Sequence, residues 1–128
     1  MKPGRKPSML TEKELVIMNL LWERGPLFVR EMLAFHDEPK PHFNTLSTTV
    51  RILEDKGHVG HETFGSTYRY YAIANKEDFM KRSLARLVKD YFNNSYKNAV
   101  SALVETEKMT DDDLREILEL IERKNASK

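Results

Sequence analysis

The chain contains no cysteine, which excludes disulfides, thiolate zinc sites and cysteine nucleophiles. Nor does it carry a surplus of either charge: 21 Lys and Arg stand against 20 Asp and Glu, a formal net charge of +1. A chain that holds a polyanion by bulk charge would be more basic, so any such contact must rest on a few placed cations. Through Asn75 there are ten Lys and Arg against nine Asp and Glu, and after it eleven against eleven. Neither half is a basic body. No apolar run is long enough to span a bilayer. The basic start Met1-Lys2-Pro3-Gly4-Arg5-Lys6-Pro7 is not followed by the apolar stretch of a signal peptide. A cytoplasmic address without membrane insertion is therefore expected. Glycine and proline number five each, and there is no low-complexity tract or internal repeat. A nucleophile elbow, a phosphate loop and a zinc-type histidine pair on a helix are also missing, so no enzyme and no cofactor is expected.

What is present is a succession of short amphipathic segments. Thr11-Glu12-Lys13-Glu14 has the form of a capping box, with the Thr11 hydroxyl and the Glu14 carboxylate each able to satisfy an N–H at the helix start. Leu15, Met18 with Ile17, Leu21 and Trp22 then recur at a helical period, and Arg24-Gly25-Pro26 ends that helix. A second helix is predicted over Val29 to Phe35 and a loop over His36 to Pro41. The third helix runs from about 43 to 56. Its buried stripe is Leu46, Val50 and Leu53, with Thr49 beside it. The opposite face carries Asn44, Ser47, Thr48 and Arg51, polar and free of acid until Glu54 and Asp55. An ordinary solvated face would more often show Glu and Lys.

Two strand-like runs follow within about 59 to 73, joined by the hairpin turn Gly65-Ser66. Tyr68, Tyr70 and Ala72 alternate with Thr67, Arg69, Tyr71 and Ile73. After Asn75, a candidate N-cap, helical periodicity returns. Phe79, Leu84, Leu87, Val88, Tyr91 and Phe92 form one apolar face, Asn93-Asn94-Ser95 marks a break, and Tyr96, Val100, Leu103 and Val104 continue the period. Thr110 and Asp113 form a second capping box, and Leu114, Ile117, Leu118 and Ile121 close the pattern.

Three helices and a hairpin are the parts of a winged helix-turn-helix, which lays its second motif helix in the major groove and its hairpin along the flanking backbone. Asn can pair with adenine, Arg with guanine, and the Thr methyl can meet thymine. The expected fold is mainly α with a small β-hairpin: a basic arm over 1–9, a winged-helix DNA-binding domain over 10–75 and a helical dimerisation region over 76–128. Candidate DNA contacts are Asn44, Thr45, Ser47, Thr48, Arg51 and, on the wing, Arg69. Candidate dimer contacts are Leu84, Leu87, Tyr91, Leu103, Leu114, Leu118 and Ile121, an apolar surface too wide for one thin helical pair. A winged-helix module that binds protein instead of DNA is the alternative. No metal site is expected: His58 and His61, three apart on a strand, point to opposite faces, and His36 and His42 lie in a loop without a carboxylate cluster.

The run Asn44-Thr45-Leu46-Ser47-Thr48-Thr49-Val50-Arg51-Ile52-Leu53-Glu54-Asp55-Lys56-Gly57 resembles the recognition helix of the penicillinase-repressor family (BlaI/MecI/CopY type). Leu10 to Trp22, Val29-Arg30-Glu31 and Tyr68-Arg69-Tyr70-Tyr71 extend the resemblance over roughly Leu10 to Arg123. It implies a homodimeric transcriptional repressor on a palindromic operator, with a membrane sensor-protease as a further partner. Three departures stand out. The cysteine-rich tail of copper-sensing relatives has no counterpart. Phe28 stands where relatives often have a Thr or Ser helix cap. The Asn-Phe bond cut in β-lactam-responsive relatives aligns with Ala102-Leu103, where Leu103 still offers a hydrophobic side chain for burial.

Overall fold

The computed structural model describes residues 9–126; the basic-arm positions Lys2, Arg5 and Lys6 lie outside them. Helix α1 (Glu12–Arg24) begins where Thr11 adopts an extended backbone and closes the expected capping box. The Thr11 Oγ1 accepts from the Glu14 N–H at 3.2 Å, and Glu14 Oε1 accepts from the Thr11 N–H at 2.9 Å. Gly25 ends the helix at φ 83°, a conformation that costs a side chain with a Cβ. A two-residue strand β1 (Leu27–Phe28) leads into α2 (Val29–Phe35), and α3 (Phe43–Asp55) follows after a loop. Lys40 Nζ donates to the carbonyls of Leu33, Ala34 and His36 at 2.7–3.2 Å. It thereby satisfies the open end of α2, which has no basic residue in its own last turn.

Strands β2 (Val59–Phe64) and β3 (Thr67–Ala72) form an antiparallel hairpin with Val59 opposite Ala72 and Phe64 opposite Thr67. β1 adds to the free edge of β3, pairing Leu27 with Tyr70 and Phe28 with Arg69, so the sheet order is β1-β3-β2. This third strand is not legible from patterning, because two residues show no alternation. Its ladder bonds come from a segment that otherwise reads as the connection between two helices.

Ile17, Met18 and Leu21 of α1, Met32 of α2, Leu46, Val50 and Leu53 of α3, and Leu27, Val59 and Tyr70 of the sheet share one core. The α3 stripe is buried as expected. On α1 the expectation needs correction. Leu15 is 44% exposed, whereas Glu14 is only 3% exposed. The buried positions are 14, 17, 18 and 21, spaced i, i+3, i+4, i+7, and Leu15 lies one step of about 100° off that stripe. A carboxylate can occupy it because Lys56 Nζ, at the end of α3, sits 3.1 and 2.9 Å from its two oxygens. Burial alone would raise the Glu14 carboxyl; the Lys56 ammonium and the Thr11 N–H outweigh it and hold the group below its ordinary value.

Helix α4 (Lys76–Phe92) starts with Asn75 Oδ1 accepting from the Asp78 N–H at 2.8 Å. Its first turns are anchored by an aromatic cluster. The Phe79 ring lies 5.2 Å from Trp22 and 5.1 Å from His58, and Trp22 Nε1 donates to the Ala74 carbonyl at 3.0 Å. The chain divides into two compact units after Ser83. The second holds the end of α4, α5 (Tyr96–Glu105) and α6 (Asp111–Ala126). Asn93 and Asn94, both in the left-handed region, make the break before α5, and Ser95 caps it by accepting from the Asn98 N–H. Thr110 and Asp113 bond reciprocally at the start of α6, as the sequence pattern predicts.

Candidate nucleic-acid interface

α3 earns its outward polar face from its inward one. Leu46, Val50 and Leu53 are fully buried, and the helix geometry then turns the opposite positions out. Asn44, Ser47 and Arg51 line a groove of about 610 Å³ between α3 and the hairpin. Phe28, Arg30 and Phe43 line it from the helical side, and Ser66, Thr67 and Tyr68 from the wing. No carboxylate of α3 lines it; Glu31 of α2 does, and that group is already engaged by the Phe28 N–H at 2.9 Å. This bond is the carboxylate half of a capping box; the N–H that a Thr or Ser side chain at 28 would satisfy receives no side-chain cap.

The expected contacts do not all meet. Asn44, Ser47 and Arg51 converge on the groove. Thr48 is exposed beside it, with its hydroxyl donated back to the Asn44 carbonyl at 2.9 Å. Thr45 lies on the other flank and lines a second groove with Glu12, Lys13 and Val16 of α1. Arg51 makes no ion pair among the described residues, Asp55 included. Its charge reaches Tyr70, whose hydroxyl is pushed up by burial first and by Glu54 next, with Arg51 opposing. Arg69 lies on the outer face of the sheet. Its Nη2 donates to Glu62 Oε1 at 3.0 Å, and its guanidinium carbon sits 4.7 Å from the Phe64 ring centroid. A phosphate there would have to share Arg69 with Glu62.

Arg30, an exposed cation in the first turn of α2, lines the same groove and is not among the contacts expected from the sequence. Its signal was present, since Val29-Arg30-Glu31 opens a helix next to the acid-free face. His61 enters the sequence reading only as a histidine whose spacing from His58 speaks against a shared metal. His61 Nδ1 lies 2.6 Å from Glu54 Oε2, and its ring stacks on Tyr68 at 4.2 Å. His58 instead packs edge-on against Phe79. No group of three potential metal ligands occurs among the described residues.

In the second unit, the expected dimer residues stay largely uncovered within the single chain. Tyr91 is 74% and Leu103 is 53% exposed; Leu84, Leu118 and Ile121 are exposed as well, whereas Leu87 and Leu114 are half-buried. Ala102 and Leu103 fall inside helix α5. No helix among the described residues is long and apolar enough to cross a membrane.

A three-helix body whose third helix shares a groove with a β-hairpin defines a winged helix-turn-helix protein, here followed by further helices. Residues 10–123 match the family described as penicillinase repressor, and the chain belongs to that family, one of transcriptional regulators and not of enzymes. Among curated proteins no relative matches the chain.

Proposed function

We propose that the protein is a transcriptional repressor that binds a palindromic operator as a homodimer. α3 enters the major groove, and the β2–β3 hairpin lies near the flanking backbone. The observation that carries this reading is the groove in which Asn44, Ser47 and the unpaired Arg51 face Ser66 and Thr67 of the wing. The side chains at its α3 wall are base-pairing types, a bidentate amide, a hydroxyl and a guanidinium. Arg30 supplies a cation for the backbone.

The dimer follows from the second unit. Leu84, Tyr91, Leu103, Leu118 and Ile121 are large apolar side chains left in solvent, and so many exposed on one short helical segment are ordinarily covered by a partner. A second copy covering it would tether two winged helices. The second half-site is then engaged at a high effective concentration instead of from bulk solution.

A gel-shift titration with the duplex upstream of the chain's own coding sequence tests the first claim, and sedimentation at tens of micromolar tests the second. Retarded bands abolished by excess unlabelled duplex but not by unrelated DNA are expected, together with a dimer mass. Absence of sequence preference would leave the protein-binding alternative, and a monomer would remove the dimer.

A further inference from the structure

The groove between α3 and the wing has a width only if something fixes the wing. A two-stranded hairpin is marginally stable alone, and β1 supports β3 only at Arg69 and Tyr70. Beyond these positions the hairpin, from Thr63 through the Gly65-Ser66 turn to Tyr68, has no third strand. Two contacts orient this part. One is apolar: the Phe28 and Phe64 rings meet edge to face at 5.7 Å on the outer side. The other is polar and faces α3. His61 of β2 meets Glu54, in the last turn of α3, at 2.6 Å. Among the described residues this is the only side-chain hydrogen bond between α3 and the hairpin. The His61 ring in turn stacks on Tyr68 at 4.2 Å and 24°, and tilts against Tyr70 at 5.6 Å. Tyr68 is itself a wall of the groove. A continuous chain of contacts thus runs from the carboxylate of Glu54 through the imidazole to the wing wall.

We propose that His61 and Glu54 are positioning residues for DNA binding: their hydrogen bond latches the wing to the recognition helix at the spacing that lets both reach the duplex together. The inference rests on the DNA-binding reading above. The latch also occupies Glu54, the nearest acid to Arg51 toward the C-terminal end of α3. With its Oε2 held by His61 Nδ1, this carboxylate is kept on the wing side. Neither residue needs to touch DNA. Their effect is entropic: a latched wing does not have to be ordered when the complex forms, so phosphate contacts from Ser66, Thr67 and the Arg69 cation cost less to make. A neutral imidazole with a proton on Nδ1 suffices as donor.

The experiment uses the full chain and the duplex upstream of its own coding sequence, with affinity measured across a salt series. His61→Ala and Glu54→Ala should each weaken binding about tenfold, and the double variant should be no weaker than either single one. The slope of affinity against salt should fall by about one counterion, the mark of a lost phosphate contact from Arg69, the one Lys or Arg of the hairpin. His61→Asn, whose amide nitrogen stands where Nδ1 stood, should restore most of the affinity and the slope. Thermal melts of all variants should stay close to that of the parent. If the parent chain itself fails to shift the duplex, the DNA-binding reading fails and the latch with it. If the parent shifts but His61→Ala keeps its affinity and slope, the latch alone is overturned. Equal losses in His61→Ala and His61→Asn, or a loss that tracks melting with an unchanged slope, overturn it too.

Discussion

Arg51 is exposed on α3 and makes no ion pair among the described residues, so its removal opens no cavity and strands no charge. Arg51→Ala should weaken operator binding by about 1–3 kcal/mol without moving the melting temperature. A fluorescence titration at fixed salt, run beside a thermal melt, checks both halves. A loss confined to the cognate duplex marks base reading, whereas an equal loss on every sequence marks a phosphate contact. His58 lies at the opposite extreme. Burial first, then Lys56 and Arg82, hold its pKa below the ordinary value, with Glu14 opposing. A histidine depressed in the folded state binds fewer protons there than in the unfolded chain. Its contribution is therefore intact above about pH 6.5 and is lost as pH falls from there toward the folded value. Glu14, also depressed, adds a second loss below about pH 4.5 by the same sign. Urea unfolding from pH 8 to 3 should show stability falling in that order, and His58→Gln should flatten the first step. A first step unaltered in His58→Gln would assign it to another group.

Helix α3 serves two masters, and its two faces can be separated by mutation. Leu53 is completely buried among α1, α2 and the sheet. Leu53→Ala should cost about 2–5 kcal/mol of folding stability through lost transfer energy and the cavity left behind. Chemical denaturation measures it, and the variant that remains folded should bind DNA almost as the parent does. A Leu53→Ala variant with native stability but impaired binding would mean that the helix is positioned by something other than this core. Local patterning places several of these elements. α2, α3 and the hairpin lie within a residue or so of their expected bounds, because their stripes, turns and caps are local. β1 was missed because its two residues are made into a strand by Tyr70 and Arg69, more than forty positions away.

For the whole molecule, if it acts as the proposed dimeric repressor, the covalent link between the winged helix and the C-terminal helices is what a signal could act upon. In the β-lactam-responsive relatives, cleavage of an Asn-Phe bond severs that link. Here the aligned bond joins Ala102 to Leu103 within α5, where the Leu103 carbonyl accepts from the Thr106 N–H and hydroxyl. A protease must unwind such a segment to reach it, and the amide-then-aromatic pair is not there to be read. Incubation with an activated sensor-protease of the family, followed by mass spectrometry of the fragments, should show no cut between Ala102 and Leu103. A cut at that bond would restore the relatives' circuit to this protein.

Sequence alone determined the succession of helices, the hairpin turn at Gly65-Ser66 and the acid-free face of α3, since each depends on residues within a few positions of one another. The overlap with the penicillinase-repressor pattern was legible for the same reason, as it is carried by contiguous runs. Tertiary structure decided what those runs could not encode separately. It buried Glu14 and exposed Leu15, because Lys56, 42 residues on, neutralises the carboxylate. It drew Asn44, Ser47 and Arg51 into one groove while turning Thr45 toward α1 and Arg69 toward Glu62. It also brought Glu54 to His61 across the sheet edge. Periodicity tells which way a side chain leaves its own helix or strand; which partner it meets depends on the packing of another element, and that information lies far away along the chain.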